Sequence, residues 1–416
     1  MRSQEQIIDL FKLGQHFCVL PWVHLYASKL GNMSPCCQQA VETQSLIYGN
    51  LNEYSFIDLW DGEAIRDFRL RLLNDERCEC CINCYEHENA NIRSLRKLSN
   101  SKYEKYFQWI QETDENGFSA NAKPIYWDLR FSNRCNLQCR TCSDCWILGL
   151  DAVADSPEPS GIIDTHKFFN DLDCCFPAVE ELFFAGGEPL LLEENLLILE
   201  KLDHLQKHDV HLIYNTNFTK IDRFIILWQK FTNITLLISL DGSYEKCEYL
   251  RKGLNWEKIK ENLRLLKKEC PNISIIIDYT VSAFNILHLP DFHKQMVEDK
   301  YIKVDEFYLN VLNEPGFYNI RILPEEIKQL AVQKIKEHIS WMKAQLPFNH
   351  TQDQGTLIKR KYFISKWHSC LNYMNGKDWS HLIPQFLEYT NKIDTIRNEH
   401  CLDIFPELKP IFEKKK

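Results

Sequence analysis

Between residues 125 and 312 the sequence alternates short β-type runs with longer helical runs. Six runs have strand length and are rich in apolar and β-branched residues: Ile125–Phe131, Glu181–Phe184, Asp209–Tyr214, Ile234–Ser239, Ile273–Val281 and Glu306–Val311. Between them, stretches such as Glu193–Lys207 and Trp256–Lys268 carry apolar residues at helical spacing. Strands that alternate with helices form a parallel sheet with helical crossovers. We therefore predict an α/β fold built on a partial (β/α)6 barrel.

Two further zones flank the predicted barrel. The first 100 residues contain seven of the 17 cysteines and a predicted helix over Phe56–Leu73. Because a zone so short has little core of its own, we expect bound metal to stabilise it. Past Pro324 the pattern is helical, most clearly at Lys328–Lys343 and Trp379–Arg397, which indicates a cap or docking region. The sequence therefore divides into three predicted domains: residues 1–105, 120–320 and 321–416.

Seventeen cysteines are unusual in a chain that carries no recognisable export signal. Met1–Leu10 is amphipathic and lacks a basic region followed by an apolar core, and the most apolar runs have only strand length. Thiols in the cytosol are kept reduced and seldom form structural disulfides. We expect a cytoplasmic protein whose cysteines bind metal.

The charge balance bears on the class of partner. Lys and Arg number 49 and Asp and Glu number 58, which gives a net charge of −9, and no long basic run offsets it. Polyanions bind to basic surfaces. We therefore expect neither nucleic acid nor a membrane surface as a partner.

The first predicted strand runs directly into three cysteines with C-x3-C-x2-C spacing: Cys135, Cys139 and Cys142. Three thiolates on one tight loop can each hold one iron of a cubane cluster, which leaves the fourth iron open to a substrate or cofactor. Structural zinc is the alternative, since Cys145 could complete a tetrahedral site. The residues of this motif alone leave both interpretations open.

Short polar motifs also follow the later strands. In chain order they are Gly186-Gly187-Glu188-Pro189, Asn215-Thr216-Asn217, Ser239-Leu240-Asp241-Gly242 and the segment that contains Arg251. Two residues without Cβ allow a ligand to come close to the backbone, and a following proline fixes the exit of the turn. The motifs lie at the C-terminal ends of predicted strands, where parallel β/α barrels place their active sites.

Together, these motifs closely resemble the radical S-adenosylmethionine (SAM) superfamily, in which a C-x3-C-x2-C loop follows the first barrel strand. The resemblance implies a [4Fe-4S] cluster on Cys135, Cys139 and Cys142. It also implies contacts to SAM from Gly186, Gly187, Glu188 and Pro189 at the amino group, from Asn217 and Ser239 at the ribose, and from Arg251 at the carboxylate. A guanidinium group is well suited to a carboxylate.

One position departs from the family pattern. Members commonly carry an aromatic residue just before the third cysteine, where it packs near the adenine, and this chain has Thr141 there. Trp146 is the candidate substitute for that contact.

The N-terminal cysteines form a second pattern. Cys18 and Cys36 are spaced C-x17-C, and Cys81 and Cys84 are spaced C-x2-C. This arrangement resembles the twitch domain, a short relative of the SPASM domain that binds one auxiliary [4Fe-4S] cluster through four thiolates. The twitch domain follows the barrel in the best-known examples, whereas here the pattern precedes it. Three neighbouring cysteines are alternative ligands, namely Cys37, Cys78 and Cys80. Structural zinc is the alternative metal.

The resemblance implies an activity as well as a fold. SAM would be cleaved reductively to methionine and a 5′-deoxyadenosyl radical that abstracts a hydrogen atom, with a reductant protein of the flavodoxin or ferredoxin type as electron donor. A fully ligated auxiliary cluster is suited to accept an electron. We therefore expect net oxidation of either a peptide or protein side chain or a small polar metabolite. The sequence identifies no catalytic acid or base.

Two other classes of protein compete with this prediction. A non-catalytic iron–sulfur or zinc redox sensor would have no need of Gly186, Gly187 or Arg251. A radical enzyme that modifies tRNA is disfavoured by the acidic charge balance.

Overall fold

A computed structural model describes residues 3–39, 45–89, 93–142, 161–162, 164–346 and 354–413. These residues form eleven strands, in chain order β1 (His24–Ala27), β2 (Asn32–Ser34), β3 (Gly49–Asn50), β4 (Tyr126–Leu129), β5 (Gln138–Cys139), β6 (Glu181–Phe184), β7 (His211–Thr216), β8 (Ile234–Ser239), β9 (Arg251–Lys252), β10 (Ser274–Val281) and β11 (Phe307–Val311).

The same described residues form eighteen α-helices, which are joined by several short 3-10 turns. In chain order the helices are α1 (Gln4–Leu13), α2 (Leu20–Val23), α3 (Phe56–Trp60), α4 (Glu63–Leu73), α5 (Ile82–Asn89), α6 (Leu95–Tyr103), α7 (Phe107–Gln111), α8 (Thr165–Leu172), α9 (Glu193–His204), α10 (Asp222–Trp228), α11 (Tyr244–Leu250), α12 (Trp256–Glu269), α13 (Leu289–Glu298), α14 (Glu325–Gln345), α15 (Gln354–Met374), α16 (Ile383–Arg397), α17 (Cys401–Ile404) and α18 (Lys409–Glu413).

The chain packs as two compact units. The first comprises Met1–Arg134, Glu158–Asn215 and Asp222–Ile234. The second comprises Cys135–Pro157, Thr216–Ile221 and Thr235–Lys416. This division by packing differs from the three sequence zones 1–105, 120–320 and 321–416, which remain our proposal for the domain organisation.

In the first unit, parallel pairing joins β1, β4, β6 and β7. Trp127 of β4 lies in register with Leu25 of β1 on one side and with Leu182 of β6 on the other, and Leu182 is in turn in register with Leu212 of β7. The β2 and β3 strands extend β1 as an antiparallel meander. The cysteine-rich N-terminal zone thus contributes a strand that pairs with the first predicted barrel strand, β4.

In the second unit, β8, β10 and β11 form parallel pairs. Ile277 of β10 lies in register with Ile238 of β8 and with Phe307 of β11. Alternate residues of β10 are buried, because one face of the strand packs beneath helices. Tyr279 on that face lies 5.5 Å from Phe292 of α13, measured between ring centroids. The β5 and β9 strands form a separate two-stranded antiparallel ribbon.

Parallel strands with helical crossovers confirm the predicted α/β class and the partial barrel. The boundaries of β8 agree with the prediction, whereas β7 begins at His211 rather than at Asp209. The helix predicted over Phe56–Leu73 is two helices, α3 and α4, and Gly62 caps the second of them. Among the described residues, no helix has the length and apolar character needed to span a bilayer.

Candidate functional site

The C-x3-C-x2-C motif forms a loop over residues 135–142, called here the cluster loop. Its middle residues, Gln138 and Cys139, are β5, which pairs with Lys252 and Arg251 of β9. A backbone hydrogen bond from Cys142 to the Cys139 carbonyl tightens the last turn at 3.3 Å. Cys135 and Cys142 are exposed, and Cys139 is half-buried. The loop therefore presents its thiols on a backbone that is fixed by strand pairing.

Nitrogen donors contact the sulfur atoms of Cys135 and Cys139 in the cluster loop. The backbone N–H of Leu137 donates to Cys135 Sγ at 3.4 Å, and Asn217 Nδ2 donates to the same sulfur at 3.7 Å. Arg251 Nη1 lies 3.9 Å from Cys139 Sγ. Hydrogen bonds to cysteine sulfur stabilise the thiolate form and tune bound iron–sulfur clusters. The donor set of this loop thus fits a [4Fe-4S] cluster.

Burial strongly affects the thiol of Cys139. It raises the pKa of this thiol to about 12, while the Arg251 guanidinium acts in the opposite direction. A cysteine must lose its proton to ligate iron. Metal binding at Cys139 therefore releases a proton, and the nearby cation favours that release.

Asn217 is tied closely to the cluster loop. Its Nδ2 atom donates to Asn136 Oδ1 at 3.0 Å, and its Oδ1 atom accepts from the Thr219 hydroxyl at 2.7 Å. Asn136 in turn donates to the Thr219 hydroxyl at 2.9 Å. The residue predicted to contact the ribose therefore lies beside the loop and is held by a closed hydrogen-bond network.

Arg251 is engaged by an acidic partner. Its Nη2 atom donates to Asp241 Oδ1 at 3.1 Å, and its Nε atom lies 2.8 Å from Asp241 Oδ2 as an ion-pair contact without hydrogen-bond alignment. Asp241 also accepts from the backbone N–H of Thr280 in β10 at 2.9 Å. Arg251, the residue predicted to contact the SAM carboxylate, is therefore linked both to Cys139 and, through Asp241, to the end of β10.

The predicted glycine-rich segment packs against the backbone that leads into the cluster loop. Gly187 donates to the Ser132 carbonyl at 3.0 Å, and Glu188 donates to the Arg134 carbonyl at 2.8 Å. A Cβ at Gly187 would lie 2.1 Å from the Arg134 carbonyl oxygen, and Gly186 has a φ of +127°. Pro189 begins the short turn that follows. Glycine is thus required here by contact between two chain segments, in addition to any ligand.

Ser239 ends β8 and lies in a row of polar residues across three strands. Asp278 of β10 is in register with both Ser239 and Tyr308 of β11. Asn310, two residues after Tyr308, donates to Asp278 Oδ1. Tyr308 and Asn310 are exposed and Asp278 is half-buried. We call Ser239, Asp278, Tyr308 and Asn310 the polar row.

In the first unit, the four N-terminal cysteines predicted as ligands line one cavity. They are Cys18, Cys36, Cys81 and Cys84. Cys18 precedes α2, Cys36 follows β2, Cys81 ends a 3-10 turn and Cys84 lies in α5. Apolar side chains such as Phe68 and Leu95 complete the lining. Four thiols in a largely apolar cavity are the donor set that a fully ligated [4Fe-4S] cluster requires.

The alternative cysteines differ in their surroundings. Cys80 also lines the cavity, with its Sγ 3.9 Å from Cys81 Sγ. Cys37 is hydrogen-bonded to Asp128 instead, and Cys78 donates to the Glu76 carbonyl at 3.5 Å. Across the described part of the chain, no three His, Cys, Asp or Glu side chains converge on a single-ion site.

Burial also governs the thiols of this cavity. It raises the pKa of Cys18 to about 12 and holds the pKa of Cys36 well above its usual range. Nearby cysteines reinforce both shifts, since thiolates repel one another. Bound iron would offset this repulsion, because it accepts the thiolate charge.

Sequence reasoning missed a buried side chain inside the cluster loop. Arg140 is 1% exposed and pairs with Asp394 and Glu399, which come from the C-terminal helical zone. Its partners lie more than 250 residues away, so no local pattern could reveal them. Cys145 and Trp146, weighed as a zinc ligand and as the adenine contact, lie outside the described residues.

Comparison with protein families gives two matches. The radical SAM superfamily model matches residues 129–296. The SPASM model, an iron-sulfur cluster-binding domain, matches residues 18–85. The first match includes the cluster loop, and the second includes Cys18, Cys36, Cys81 and Cys84.

Among curated proteins, the chain is similar to an S-adenosylmethionine-dependent nucleotide dehydratase from Fibrobacter sp. (strain UWH6), with 24% identity over 172 residues. The match covers 40% of this chain and 50% of that protein, so it spans about half the length of the relative.

Among solved structures, the chain is similar to native anSMEcpe with bound AdoMet and the Cp18Cys peptide. The identity is 19%, the match covers 52% of this chain and 58% of that chain, and the TM-score is 0.39. It is also similar to SuiB from Streptococcus suis bound to S-adenosylmethionine. There the identity is 16%, the coverage 66% and 63%, and the TM-score 0.38.

The matched domains carry [4Fe-4S] clusters, and the radical SAM domain also binds SAM. The chain therefore contains a radical SAM domain over residues 129–296, preceded by a SPASM iron–sulfur domain over residues 18–85.

Proposed function

We propose that this chain cleaves SAM reductively and uses the product radical to abstract a hydrogen atom from a substrate. The cluster loop supports this proposal, because its three thiols lie on one short segment. Two of them accept hydrogen bonds, from the side chains of Asn217 and Arg251. In the proposed assignment, Cys135, Cys139 and Cys142 hold a cluster that supplies the electron which breaks SAM into methionine and a 5′-deoxyadenosyl radical.

The chain itself would bind and orient SAM. Asn217 and Arg251 contact the sulfur atoms of Cys135 and Cys139, respectively. Ser239 is the last residue of β8 in the second unit. We propose these three side chains as SAM contacts, together with the segment Gly186, Gly187, Glu188 and Pro189. Arg251 already pairs with Asp241, so the SAM carboxylate would share this guanidinium group with Asp241.

The SPASM domain suggests how the reaction ends. We assign its cluster to Cys18, Cys36, Cys81 and Cys84, which line one cavity. A cluster with four cysteine ligands has no open iron for substrate, so electron transfer is its natural role. We therefore propose a net two-electron oxidation of a peptide or protein side chain or of a small polar metabolite, with a flavodoxin- or ferredoxin-type protein as reductant.

The polar row is our candidate for substrate contacts. A carboxylate, an amide and a phenol hydroxyl occur together on neighbouring strands, at Asp278, Asn310 and Tyr308. An ionised carboxylate only accepts hydrogen bonds and repels anions. This arrangement favours a substrate rich in hydrogen-bond donors, such as hydroxyl, amide or ammonium groups.

A second candidate reaction is radical dehydration. It is favoured by the similarity to the S-adenosylmethionine-dependent nucleotide dehydratase, which covers 40% of this chain. Dehydration removes water and leaves the substrate without net oxidation. Because 5′-deoxyadenosine keeps the abstracted hydrogen atom, loss of hydroxide must be balanced by one electron, which the reductant would supply directly or through the auxiliary cluster.

Product mass distinguishes the two reactions. The anaerobically reconstituted enzyme would be incubated with SAM, a reductant and a panel of peptides and polar metabolites, nucleotides included. Loss of two hydrogens, with about one 5′-deoxyadenosine per product, supports oxidation. Loss of water supports dehydration, and a product isomeric with its substrate contradicts both. Asp278→Asn should raise KM for the substrate, whereas the exposed Asp305→Asn serves as the matched control.

A further inference from the structure

Arg140 links the cluster loop to a distant part of the chain. It lies between Cys139 and Cys142, so its side chain is anchored to the backbone that carries two predicted ligands. Its guanidinium carbon lies 3.6 Å from the centroid of the Tyr249 ring, and its Nε atom donates to the Tyr249 carbonyl at 3.1 Å. Because Arg140 is almost completely buried, its charge requires partners in the protein interior.

Those partners are two carboxylates from the C-terminal zone. Arg140 Nη2 lies 2.6 Å from Asp394 Oδ1 and 2.7 Å from Glu399 Oε2. Asp394 also accepts from the Tyr249 hydroxyl at 2.8 Å and from the Cys401 backbone N–H at 2.7 Å. Three contacts hold the Asp394 carboxylate in place, so it is a fixed anchor rather than a flexible surface charge.

The C-terminal segment that contains Asp394 and Glu399 also contacts the backbone of the cluster loop. Arg397 Nη2 donates to the Gln138 carbonyl at 2.7 Å. Glu399 also pairs with Lys252 of β9 at 2.6 Å, and Lys252 is in register with Gln138. The end of α16 and the residues after it therefore contact β5, β9 and Arg140 together.

We propose that residues 394–399 form a clamp that positions the cluster loop. Asp394 and Glu399 act through Arg140, and Arg397 acts through the Gln138 carbonyl. They are positioning residues: they contact the loop and no predicted ligand directly. Groups that orient metal ligands commonly control how tightly and in what electronic state the metal is held. The C-terminal helical zone would therefore take part in the radical SAM site, although no motif in its own sequence indicates this.

The test measures retention of the radical SAM cluster in the full, anaerobically reconstituted chain. Asp394→Asn removes the charge opposite Arg140 at nearly constant size, and Arg397→Gln removes the guanidinium donor to Gln138. The readout is the electron paramagnetic resonance signal that changes when SAM is added, because the fully ligated auxiliary cluster has no open iron for SAM. In both variants we expect this signal to differ in shape from that of the wild type. In the presence of an iron chelator it should also decay about 10- to 100-fold faster than in the wild type.

Two matched variants separate positioning from general stability. Glu407 also belongs to the C-terminal zone, but it pairs with Lys246 at 2.8 Å instead of with the loop. Glu407→Gln should therefore keep the wild-type signal and decay rate. Arg397→Lys retains a donor of similar reach and should restore most of what Arg397→Gln loses.

The proposal is overturned if Asp394→Asn and Arg397→Gln keep the SAM-responsive signal as long as the wild type does. It is also overturned if Glu407→Gln loses the signal as fast as they do, because general destabilisation would then explain the loss. If Asp394→Asn does not fold, Arg397→Gln decides by itself, since Arg397 is only half-buried. None of these outcomes depends on the identity of the substrate.

Discussion

Cys36 and Cys37 are adjacent in the chain but lie in different surroundings. Cys36 lines the cavity that also contains Cys18 and Cys84, whereas Cys37 is hydrogen-bonded to Asp128. β2 ends at Ser34 and Cys37 lies in the turn that follows, so the two thiols point into different surroundings and Cys36 is the one that faces the cavity. The two cysteines provide a matched pair for testing the auxiliary site.

We predict that Cys36→Ser loses the iron of the auxiliary cluster and that Cys37→Ser keeps it. A serine hydroxyl is a much weaker ligand for cluster iron than a thiolate, whereas the change at residue 37 leaves the cavity lining intact. Iron content per chain after anaerobic reconstitution measures the effect. Loss of iron from Cys37→Ser with retention by Cys36→Ser would shift the ligand assignment by one residue.

The spacing of the motif cysteines was enough to predict the cluster loop, because all three ligands lie within eight residues. It left Cys36 and Cys37 undecided, because the choice depends on which face of the segment the cavity occupies. The ion pair of Arg140 with Asp394 joins residues 254 positions apart and depends on tertiary packing alone. The sequence therefore identifies a local candidate ligand set, whereas the groups that support the loop come from distant segments.

Helices α13 and α14 share a buried pair of histidines. Nε2 of His293 donates to the Val304 carbonyl at 3.0 Å, which leaves Nδ1 to accept from His338 Nε2 at 2.8 Å. Burial lowers the pKa of His338 to about 4 and holds that of His293 well below its usual range. The nearby charges of Asp291 and Lys294 act on His338 in opposite directions. Both rings are therefore uncharged in the folded protein at neutral pH.

We predict that this pair makes stability depend on pH between about 6.5 and 4. Because the folded pKa is lower than the unfolded one, the unfolded chain binds more protons, and stability falls as the pH drops through this window. The loss should be on the order of 3 kcal/mol at the acid end for His338. Denaturant unfolding at several pH values measures it.

A double variant isolates this contribution. His293→Leu with His338→Leu removes both titrating rings, so its stability should depend less steeply on pH. The exposed His400→Gln should follow the wild type. An unchanged slope in the double variant would contradict the prediction.

The strands differed in how readily sequence predicted them. Ile234–Ser239 is an apolar run of strand length and was predicted with its observed bounds. The β1 strand was missed, because its four residues are all buried and show no alternation, and it is defined by parallel pairing with β4. The break between α3 and α4 also went unpredicted, since apolar spacing continues across Asp61 and Gly62.

At the scale of the whole molecule, the two cysteine sets belong to different compact units. Cys18, Cys36, Cys81 and Cys84 lie in the first unit, and the cluster loop lies in the second. The sequence predicted the α/β fold, and both cysteine sets remain predicted ligand sets. It did not predict the packing units, because these depend on contacts between segments that are distant in the chain, such as β1 with β4.

Two separate ligand sets predict two clusters, so the reconstituted chain should contain about eight irons. Cys84→Ala should lower this to about four, because one auxiliary ligand is lost while the cluster loop is intact. Combined iron and zinc analysis measures both. About four irons with one zinc in the wild type would instead assign the N-terminal cysteines to structural zinc.

Formation of 5′-deoxyadenosine is the most direct test of the central claim that the cluster loop supports cleavage of SAM. The protein would be incubated anaerobically with SAM and a strong reductant, and the nucleoside would be quantified by chromatography. We predict formation by the wild type and by Cys247→Ala, a buried cysteine outside both sets, and none above background for Cys135→Ala, Cys139→Ala or Cys142→Ala. Wild-type amounts of 5′-deoxyadenosine from all three loop variants would contradict the account.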